Sequence, residues 1–371
     1  MNRIFIDVYA LQTVPPSNLN RDDTGSPKTA VYGGVRRARV SSQSWKRATR
    51  LAFDGVLDDS QLGERTKRVG ESLAERIRRL DPQLDASALA TEVFAASGLA
   101  KAEKKKGEAK DIESGYLLFL SHRQLDNLAA AAVQAAQAGA ALDKAQFKAL
   151  ANTEHSVDIA MFGRMVADMP DINVDAACQV AHAISVHAVD NEYDYFTAVD
   201  DRKADAAETG AGMIGTVEFN SCTLYRYATI NVAALHETLG DAAATRAAVE
   251  AFLTAFSRSV PTGKQNTFAH RTLPDAVVVR ARDTQPINMV GAFEQPIEET
   301  EAAGRVKLAA DALASHIGAV EHAYGETPTG SWVTQVGEQT AALADLGMAV
   351  PFPQLVTGVG EHVAAALGRS A

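Results

Sequence analysis

The run from Arg36 to Arg50 holds Arg36, Arg37, Arg39, Lys46, Arg47 and Arg50, and it holds no acid. The 371-residue chain as a whole carries a net charge of -10, so this basic island is local and asks for a local polyanion. Its plainer reading is a solvated loop followed by an amphipathic helix. The surrounding pattern favours phosphate. Gly33-Gly34 allows a sharp turn or a close backbone approach. Ser41-Ser42 can cap the helix that follows, and Gln43, Lys46, Arg47 and Arg50 then share a face at helical spacing. Hydroxyls, helix-start N–H groups and a row of cations suit a phosphate chain. The polar loop from Pro261 to Asn266 adds Lys264 and Gln265 as candidate phosphate contacts.

Other residues bear on the chemistry. Asp22-Asp23 is the acidic pair close to the island. Two carboxylates holding a metal ion could cleave a phosphodiester; the simpler role is to orient nearby arginines or close the loop. The segment from Asp190 to Asn220 is polar, acidic and glycine-bearing, yet displays Tyr193, Tyr195, Phe196, Met213 and Ile214. That composition suits a projecting hairpin. Phe196 there could stack on bases, which contributes about 1–3 kcal/mol per base whatever the sequence. The alternative is that these aromatics pack on their own subunit or on a neighbour. Gly210-Ala211-Gly212-Met213-Ile214-Gly215 matches G-x-G-x-x-G, but no strand leads into it and a strand, not a helix, follows. A hairpin tip therefore accounts for it better than a dinucleotide site. The histidines form neither an HExxH motif nor a cluster with cysteine, and His182 and His187 do not share a helix face well. No G-x-S-x-G or P-loop occurs. We therefore assign no catalytic residue, no metal site and no cofactor. Lys101, Lys104, Lys105, Lys106 and Lys110 form a charged loop, with contact to a second polyanion such as duplex DNA as its alternative role.

These groups need elements to position them. Hydrophobic residues at 46% and charged residues at 22% describe a soluble globular chain large enough for one sizeable domain or a few modules. No apolar run approaches the roughly 20 residues that span a bilayer, so no membrane partner is expected. The first residues read as a strand rather than a signal peptide. Cys178 and Cys222 stand far apart in no metal-type spacing, which points to a reducing cytoplasm. Residues 3–11 and 217–232 alternate as strands, and 276–280 forms a compact β-branched strand. Residues 56–172 read as a helical insertion, with Leu62, Val69, Leu73, Ile77 and Leu80 on one amphipathic helix. Trp45, Ala48, Leu51 and Ala52 are spaced to bury one face of the helix in the basic island. Val174, Ala177, Ala181 and Ile184 predict a helix over 173–187, and Leu235, Leu239, Phe252 and Phe256 another over 233–259. Strands interrupted by long helical stretches mean α+β rather than regular βαβ repeats.

Several motifs now stand in one order: Asn20-Arg21-Asp22-Asp23, Gly33-Gly34, the run from Ser41 to Ala48, the run from Asp158 to Met165, Ala181-His182-Ala183-Ile184, the run from Phe196 to Asp201, and Tyr225-Arg226-Tyr227-Ala228. In this the chain resembles the backbone subunit (CasC) of the type I-E CRISPR Cascade complex, from the first strand to about residue 295 and more loosely beyond. The resemblance implies a hand-shaped protein with a ferredoxin-like, RRM-type palm (1–55, a palm helix at 173–189, and 221–371), helical fingers at 56–172 and a projecting β-hairpin thumb at 190–220. It implies copies stacked head to tail on one CRISPR guide RNA, pairing of that guide with target DNA, and contacts with the large, small, guide-end-binding and repeat-processing Cascade subunits. By position, Arg21, Lys28, Ser41, Gln43, Lys46 and Arg47 match guide-backbone contacts, and Met165, Phe196 and Thr197 match wedge residues that push out a nucleotide at intervals. The family subunit is not a nuclease. The sequence departs from the family at Val35, where a lysine would continue the basic run, in the acidic stretch from Asp200 to Asp205, and in a shortened loop after Met165.

The expectation is a non-catalytic, cytoplasmic, RNA-binding scaffold. Its guide contacts are Asn20, Arg21, Lys28, Ser41, Gln43, Lys46, Arg47, Arg50, Lys264 and Gln265, with Met165, Phe196 and Thr197 as wedges. Two other readings stay open: a metal-dependent endoribonuclease using Asp22 or Asp23, and a metabolic enzyme with a basic phosphate pocket.

Overall fold

The computed structural model describes residues 3–99, 117–166, 169–198 and 213–369. The lysine run at 101–110 and the segment 199–212 lie outside the described residues. The chain divides into two compact units. The first comprises Met1–Ala52, Gln179–Val232 and Val249–Ala371; the second comprises Phe53–Cys178 and Ala233–Ala248. The class is α+β, with a large and mostly antiparallel sheet.

The strands are β1 (Phe5–Ser17), β2 (Thr29–Tyr32), β3 (Val35–Val40), β4 (Gly63–Thr66), β5 (Leu118–Ser121), β6 (Cys178–Val180), β7 (Ala183–Ser185), β8 (Glu192–Ala198), β9 (Met213–Asn231), β10 (Ala276–Arg282), β11 (Gly330–Gln335) and β12 (Met348–Ala349). The main sheet runs β12-β11-β10-β1-β9-β7-β3-β2. β1 lies inside it, antiparallel to β10 from Phe5↔Arg282 to Leu11↔Ala276 and to β9 from Phe5↔Asn231 to Val14↔Cys222. It outruns the strand expected from sequence, passing Pro15-Pro16 to Ser17 through a register shift. A proline fits where the ladder is already interrupted.

Both faces of β1 are buried. Tyr9 and Leu11 join Tyr225, Tyr227, Val278, Met289, Phe293, Leu313 and Ile317 in one core. Most of the helical part of that core comes from α10 (Arg305–Tyr324). Asp7 on this side is fully buried and accepts hydrogen bonds from Tyr227 Oη (2.9 Å), the Ile287 N–H (3.0 Å) and Arg282 Nε (3.1 Å). Arg282 also reaches Glu321 at 2.8 Å, and Arg280 reaches it at 3.2 Å. The network ties β1, β9, β10 and α10 together. On the opposite face, Arg226 meets α1 (Ser42–Ala52) and the later turns of α8 (Ala242–Arg258).

Two sequence-based helices do not stand. Residues 173–189 carry no helix. They contain β6 and β7, and the latter fills the gap between β3 and β9 through Arg39↔Ile184 and Ile184↔Tyr225. Ala181 donates its N–H to Tyr227 O and Val186 donates to Thr223 O, each at 2.9 Å. An available ladder and the β-branched Val180, Ile184 and Val186 outweigh a helical spacing carried partly by alanines. The helix expected at 233–259 is two, α7 (Val232–Leu239) and α8. Gly240 adopts φ +69 between them, and Asp241 Oδ1 accepts the Ala244 N–H at 2.6 Å as a new N-cap. Leu51 and Leu80 are exposed rather than buried, and Thr49 replaces Leu51 on the buried face of α1.

The second unit packs α2 (Val69–Leu80), α3 (Ala86–Ser97), α4 (His122–Ala138) and α5 (Lys144–Leu150) around Leu73, Ile77, Phe94, Leu125, Leu128 and Phe147. Leu62 lies before α2, not in it. Ser121 and Gln124 form a capping box on α4. β4 and β5 pair apart from the main sheet, and α6 (Val157–Phe162) completes the helices of the insertion.

The β2–β3 hairpin turns on Gly33 and Gly34, at φ +59 and +78, with Tyr32 opposite Val35. Positive φ at both central residues matches the right-handed twist of the strands. The two glycines differ in surroundings. A Cβ on Gly33 would lie 1.6 Å from Glu294 O, whereas one on Gly34 would meet nothing within 4 Å. Gly34→Ala is expected to cost about 1–2 kcal/mol, the left-handed penalty alone. Gly33→Ala should cost clearly more in denaturant unfolding; equal losses would show that the Glu294 contact imposes no constraint.

Candidate nucleic-acid interface

Asn20 is the joint of this region. Its carbonyl accepts the Lys28 N–H at 2.9 Å, and its side-chain Oδ1 accepts the Ser41 N–H at 2.9 Å. Lys28 in turn accepts the Arg39 N–H at 2.9 Å. Ser41 is buried, and its Oγ accepts the Ser44 N–H at 3.3 Å, so it caps α1. One short hydrogen-bonded frame therefore fixes Asn20, Lys28, Ser41 and the start of α1.

α1 turns Trp45 and Thr49 inward. Gln43 and Arg47 are exposed, and Lys46 and Arg50 are half-buried. Beneath Trp45 lies the fully buried Arg226. Its guanidinium sits 3.7 Å from the Trp45 ring centre and 4.3 Å from that of Phe256, and it donates to Gln12 Oε1 and Phe256 O. Burial pushes its pKa down to about 9. This arginine holds the basic helix from below and is not part of the exposed surface. Arg37 is likewise buried. It donates to Tyr32 O (3.1 Å), Ser185 O (3.0 Å), Phe293 O (2.8 Å) and Glu294 O (3.3 Å).

The loop carrying Arg21 is a tight turn closed by the Arg21↔Pro27 bridge. Asp22 Oδ1 accepts the Thr24 N–H (3.0 Å), the Thr24 hydroxyl (2.7 Å) and the Ser26 N–H (3.0 Å). The Thr24 hydroxyl is the main cause of its lowered pKa. Asn18 Nδ2 reaches both Gly25 O and Glu218 O at 2.9 Å, and Ser26 Oγ reaches Glu218 Oε1 at 2.8 Å. A depression of about 540 Å³ is lined by the turn from Leu19 to Gly25 and by Gly263. A Cβ on Gly263 would lie 2.4 Å from Leu19 O, so only glycine lets the 262–268 segment approach this closely. That segment carries Lys264, left-handed at φ 52, and the short α9 (Gln265–Phe268) with Gln265 exposed.

β9 serves two partners in succession. From Cys222 to Asn231 it pairs with β1, and from Met213 to Phe219 it pairs with β8. Glu218 and Asn191 fasten the base of the β8–β9 hairpin at 3.1 Å, and Phe219 packs 5.8 Å from Phe268. Phe196 stands opposite Gly215, where a Cβ would lie 2.4 Å from the ring, so its ring rests on the glycine and remains 38% exposed. Tyr193, Tyr195 and Thr197 alternate onto the other face and are exposed. Met165 belongs to the second unit. It is 83% exposed between buried Arg164 and Val166. Arg164 is anchored to Ile172 O at 2.8 Å and Asn152 Oδ1 at 3.0 Å.

The first unit thus brings Asn20, Arg21, Lys28, Ser41, Lys264 and Gln265 into one connected neighbourhood, joined to the base of the Phe196 hairpin. Among the described residues, Arg21, Lys28, Lys46, Arg47 and Lys264 form no ion pair with a carboxylate. Reading by residue type missed Arg37, Arg226, Asn18 and Glu218. The first two count as charge in sequence and act as scaffold in the fold; no local signal separates them.

A profile of the family described as CT1975-like protein matches residues 6–357. No curated protein matches the chain. Among solved structures, a chain of a "CRISPR RNA-guided surveillance complex, pre-nicking" is 35% identical, with 97% of this chain and 100% of that one covered and a TM-score of 0.86. A chain of a "CRISPR RNA-guided surveillance complex" is 30% identical, with 96% and 99% covered and a TM-score of 0.76.

The two classes of arginine separate by mutation. Arg37→Gln is expected to cost about 2–4 kcal/mol, because it strips carbonyl partners from a buried site. Arg47→Gln should stay within about 0.5 kcal/mol of wild type in the same denaturant titration.

Proposed function

The chain belongs to the CT1975-like protein family, and from that membership we infer that it is a guide-RNA-binding backbone subunit of a Cascade-type CRISPR surveillance complex. One observation in the molecule carries the reading. In a chain with 46 acids and 36 lysines and arginines, Arg21, Lys28, Lys46, Arg47 and Lys264 form no ion pair with a carboxylate among the described residues. Uncompensated cations on one frame suit a strand of phosphates, held without regard to its sequence.

The finer reading assigns Arg21, Lys28, Ser41, Gln43, Lys46, Arg47, Arg50, Lys264 and Gln265 to the guide backbone, around Asn20. Ser41 contributes through the helix start it caps, since its hydroxyl is engaged. Phe196 and Thr197, on opposite faces of the hairpin, and Met165 act as wedges that divide the guide into presented segments. The first unit supplies an RRM-type palm, the second the fingers, and the β8–β9 hairpin the thumb. Copies stack head to tail along the RNA, a heterologous contact that would grow without closing, and each needs few cations because linkage along one strand supplies avidity. Target DNA is then read by base pairing, as in other RNA-guided effectors, within a type I-E arrangement alongside the large, small, guide-end-binding and repeat-processing subunits. No helix among the described residues is long and apolar enough to cross a membrane.

The scaffold reading holds that the subunit does not cut. Support comes from Asp22, whose Oδ1 is taken up by its own turn through Thr24 and Ser26. Complementary RNA with magnesium should remain intact on the assembled particle. Cleavage that disappears in Asp22→Ala or Asp23→Ala would establish the endoribonuclease instead. Lys46→Glu combined with Arg47→Glu is expected to abolish copurifying RNA and RNA-dependent oligomers, read by absorbance ratio and sedimentation. Phe196→Ala should leave assembly intact and weaken target capture; unchanged target affinity would remove the wedge role.

A further inference from the structure

A methionine is unbranched and flexible, so whatever aims Met165 must lie in the residues beside it. Met165 is 83% exposed, the largest value for a bulky apolar side chain among the described residues. Its backbone is gripped on both sides. Arg164 and Val174 exchange both backbone bonds, each at 2.9 Å, and Asn173 Oδ1 accepts the Val166 N–H at 2.6 Å. Gly163 leads into this bridge at φ +80, where a Cβ would lie 2.9 Å from Val174 O. The side chains of Arg164 and Val166 are both buried, and Met165 between them is turned outward.

The Arg164 guanidinium holds the inward side. Its Nε donates to Ile172 O at 2.8 Å, its Nη1 to Phe119 O and Gln124 Oε1 at 3.3 Å each, and its Nη2 to Asn152 Oδ1 at 3.0 Å. These acceptors belong to β5, to α4, to the turn after α5 and to the segment following Met165. The amide of the buried Gln124 is set to receive it. Gln124 Nε2 donates to Thr153 O at 2.6 Å and to His155 Nδ1 at 3.1 Å, which leaves Oε1 for Arg164 and for the Ser121 N–H at 3.0 Å. Burial, then the Arg164 charge, lowers the His155 pKa to about 4, so near neutral pH the imidazole accepts as a neutral group. Burial lowers the Arg164 pKa to about 10, so the guanidinium stays charged there. A planar cation with acceptors fixed on several elements leaves the backbone beside it little freedom.

We propose that Arg164 is a positioning residue: its fork, with the Asn173 acceptor on the other flank, fixes the direction in which Met165 meets the guide and so how completely a nucleotide is displaced. This rests on the wedge reading of Met165 and adds to it the residues that aim the wedge. Arg164 is buried and acts only through its neighbour. A working site tolerates errors of about 0.5 Å or about 10–20° in its contacting groups. A methionine on a loose segment would follow the base stack instead of parting it. Ordering this segment during folding removes that cost from the encounter with RNA.

The test uses the full-length protein assembled on a synthetic guide RNA. The guide carries 2-aminopurine, a base that brightens when it leaves the stack, at each position in turn. Wild type should show bright positions at intervals, and Met165→Ala should dim them. Arg164→Lys, which keeps the charge and loses the fork, should dim the same positions about threefold. Asn173→Ala should dim them about twofold, the share of one hydrogen bond, and Asn173→Asp, which keeps the acceptor, should restore them. Every reading is taken well below the melting transition followed by circular dichroism, so lost stability alone leaves the contrast unchanged. Arg164→Lys combined with Met165→Ala should be no dimmer than Met165→Ala alone, because the arginine acts through the methionine. A further loss in that double variant would place the action of Arg164 elsewhere and reject the proposal. Wild-type brightness in Arg164→Lys and Asn173→Ala, with Met165→Ala dimmed, would overturn the positioning role and leave the wedge reading intact. Wild-type brightness in Met165→Ala would overturn both. Should Arg164→Lys fail to fold, Asn152→Ala, which takes one acceptor from the guanidinium, answers in its place: dimming supports the role and wild-type brightness overturns it.

Discussion

A guanidinium buried away from water must find acceptors for its N–H groups, or the fold carries a penalty of several kcal/mol. That constraint sorts the cations of this chain. Arg226 lies between Trp45 and Phe256, Arg37 gathers the carbonyls of Tyr32, Ser185, Phe293 and Glu294, and Arg282 bridges Asp7 and Glu321. Each ties elements distant in sequence. Arg226 reaches α1, β1 and α8, Arg37 joins β3 to β7 and the segment before α10, and Arg282 joins β10 to β1 and α10. Arg21, Lys28, Lys46, Arg47 and Lys264 are among the cations that form no ion pair with a carboxylate among the described residues. The surface proposed to meet a polyanion is therefore defined as much by where acceptors were used up as by where basic residues stand.

β9 is the element on which site and scaffold meet. Its later half is an inner strand of the sheet, and its first residues are one arm of the hairpin. Glu218, at the changeover, accepts from Asn18, Ser26 and Asn191. The Arg21 turn and the Phe196 hairpin consequently share a buried foundation, though 175 positions separate them in the sequence. Phe196 gains its presentation from Gly215, since any side chain opposite would displace the ring.

Much of this was legible beforehand, for identifiable reasons. Gly33-Gly34 and Ser41-Ser42 speak through local backbone chemistry, and both act where they stand. β1, β9 and β10 announce themselves by bulky alternating residues. The antiparallel pair of β8 with the start of β9 falls in the polar stretch that keeps its aromatics. The helix expected at 173–187 failed because a three-residue strand's identity is decided by its neighbours β3 and β9, not by its own spacing. Leu51 failed because Thr49, facing Ser259, takes the buried place on α1. Arg37 and Arg47 look alike in sequence; only the long-range carbonyls around Arg37 tell them apart. The contact of His182 with Arg39 was equally silent, since their 143-residue separation is closed only by the pairing of β3 with β7 beside it.

The fastening of the Arg21 turn to the hairpin base has a metric consequence. The turn proposed to grip a strand and the strand pair proposed to interrupt it are set on a single hydrogen-bonded lattice of Asn18, Ser26, Asn191, Glu218 and Asn220. The interval between them is then a property of the folded monomer, like the pitch cut into a screw. In the proposed filament, added copies would multiply that interval, and small errors in how they abut would not accumulate within it.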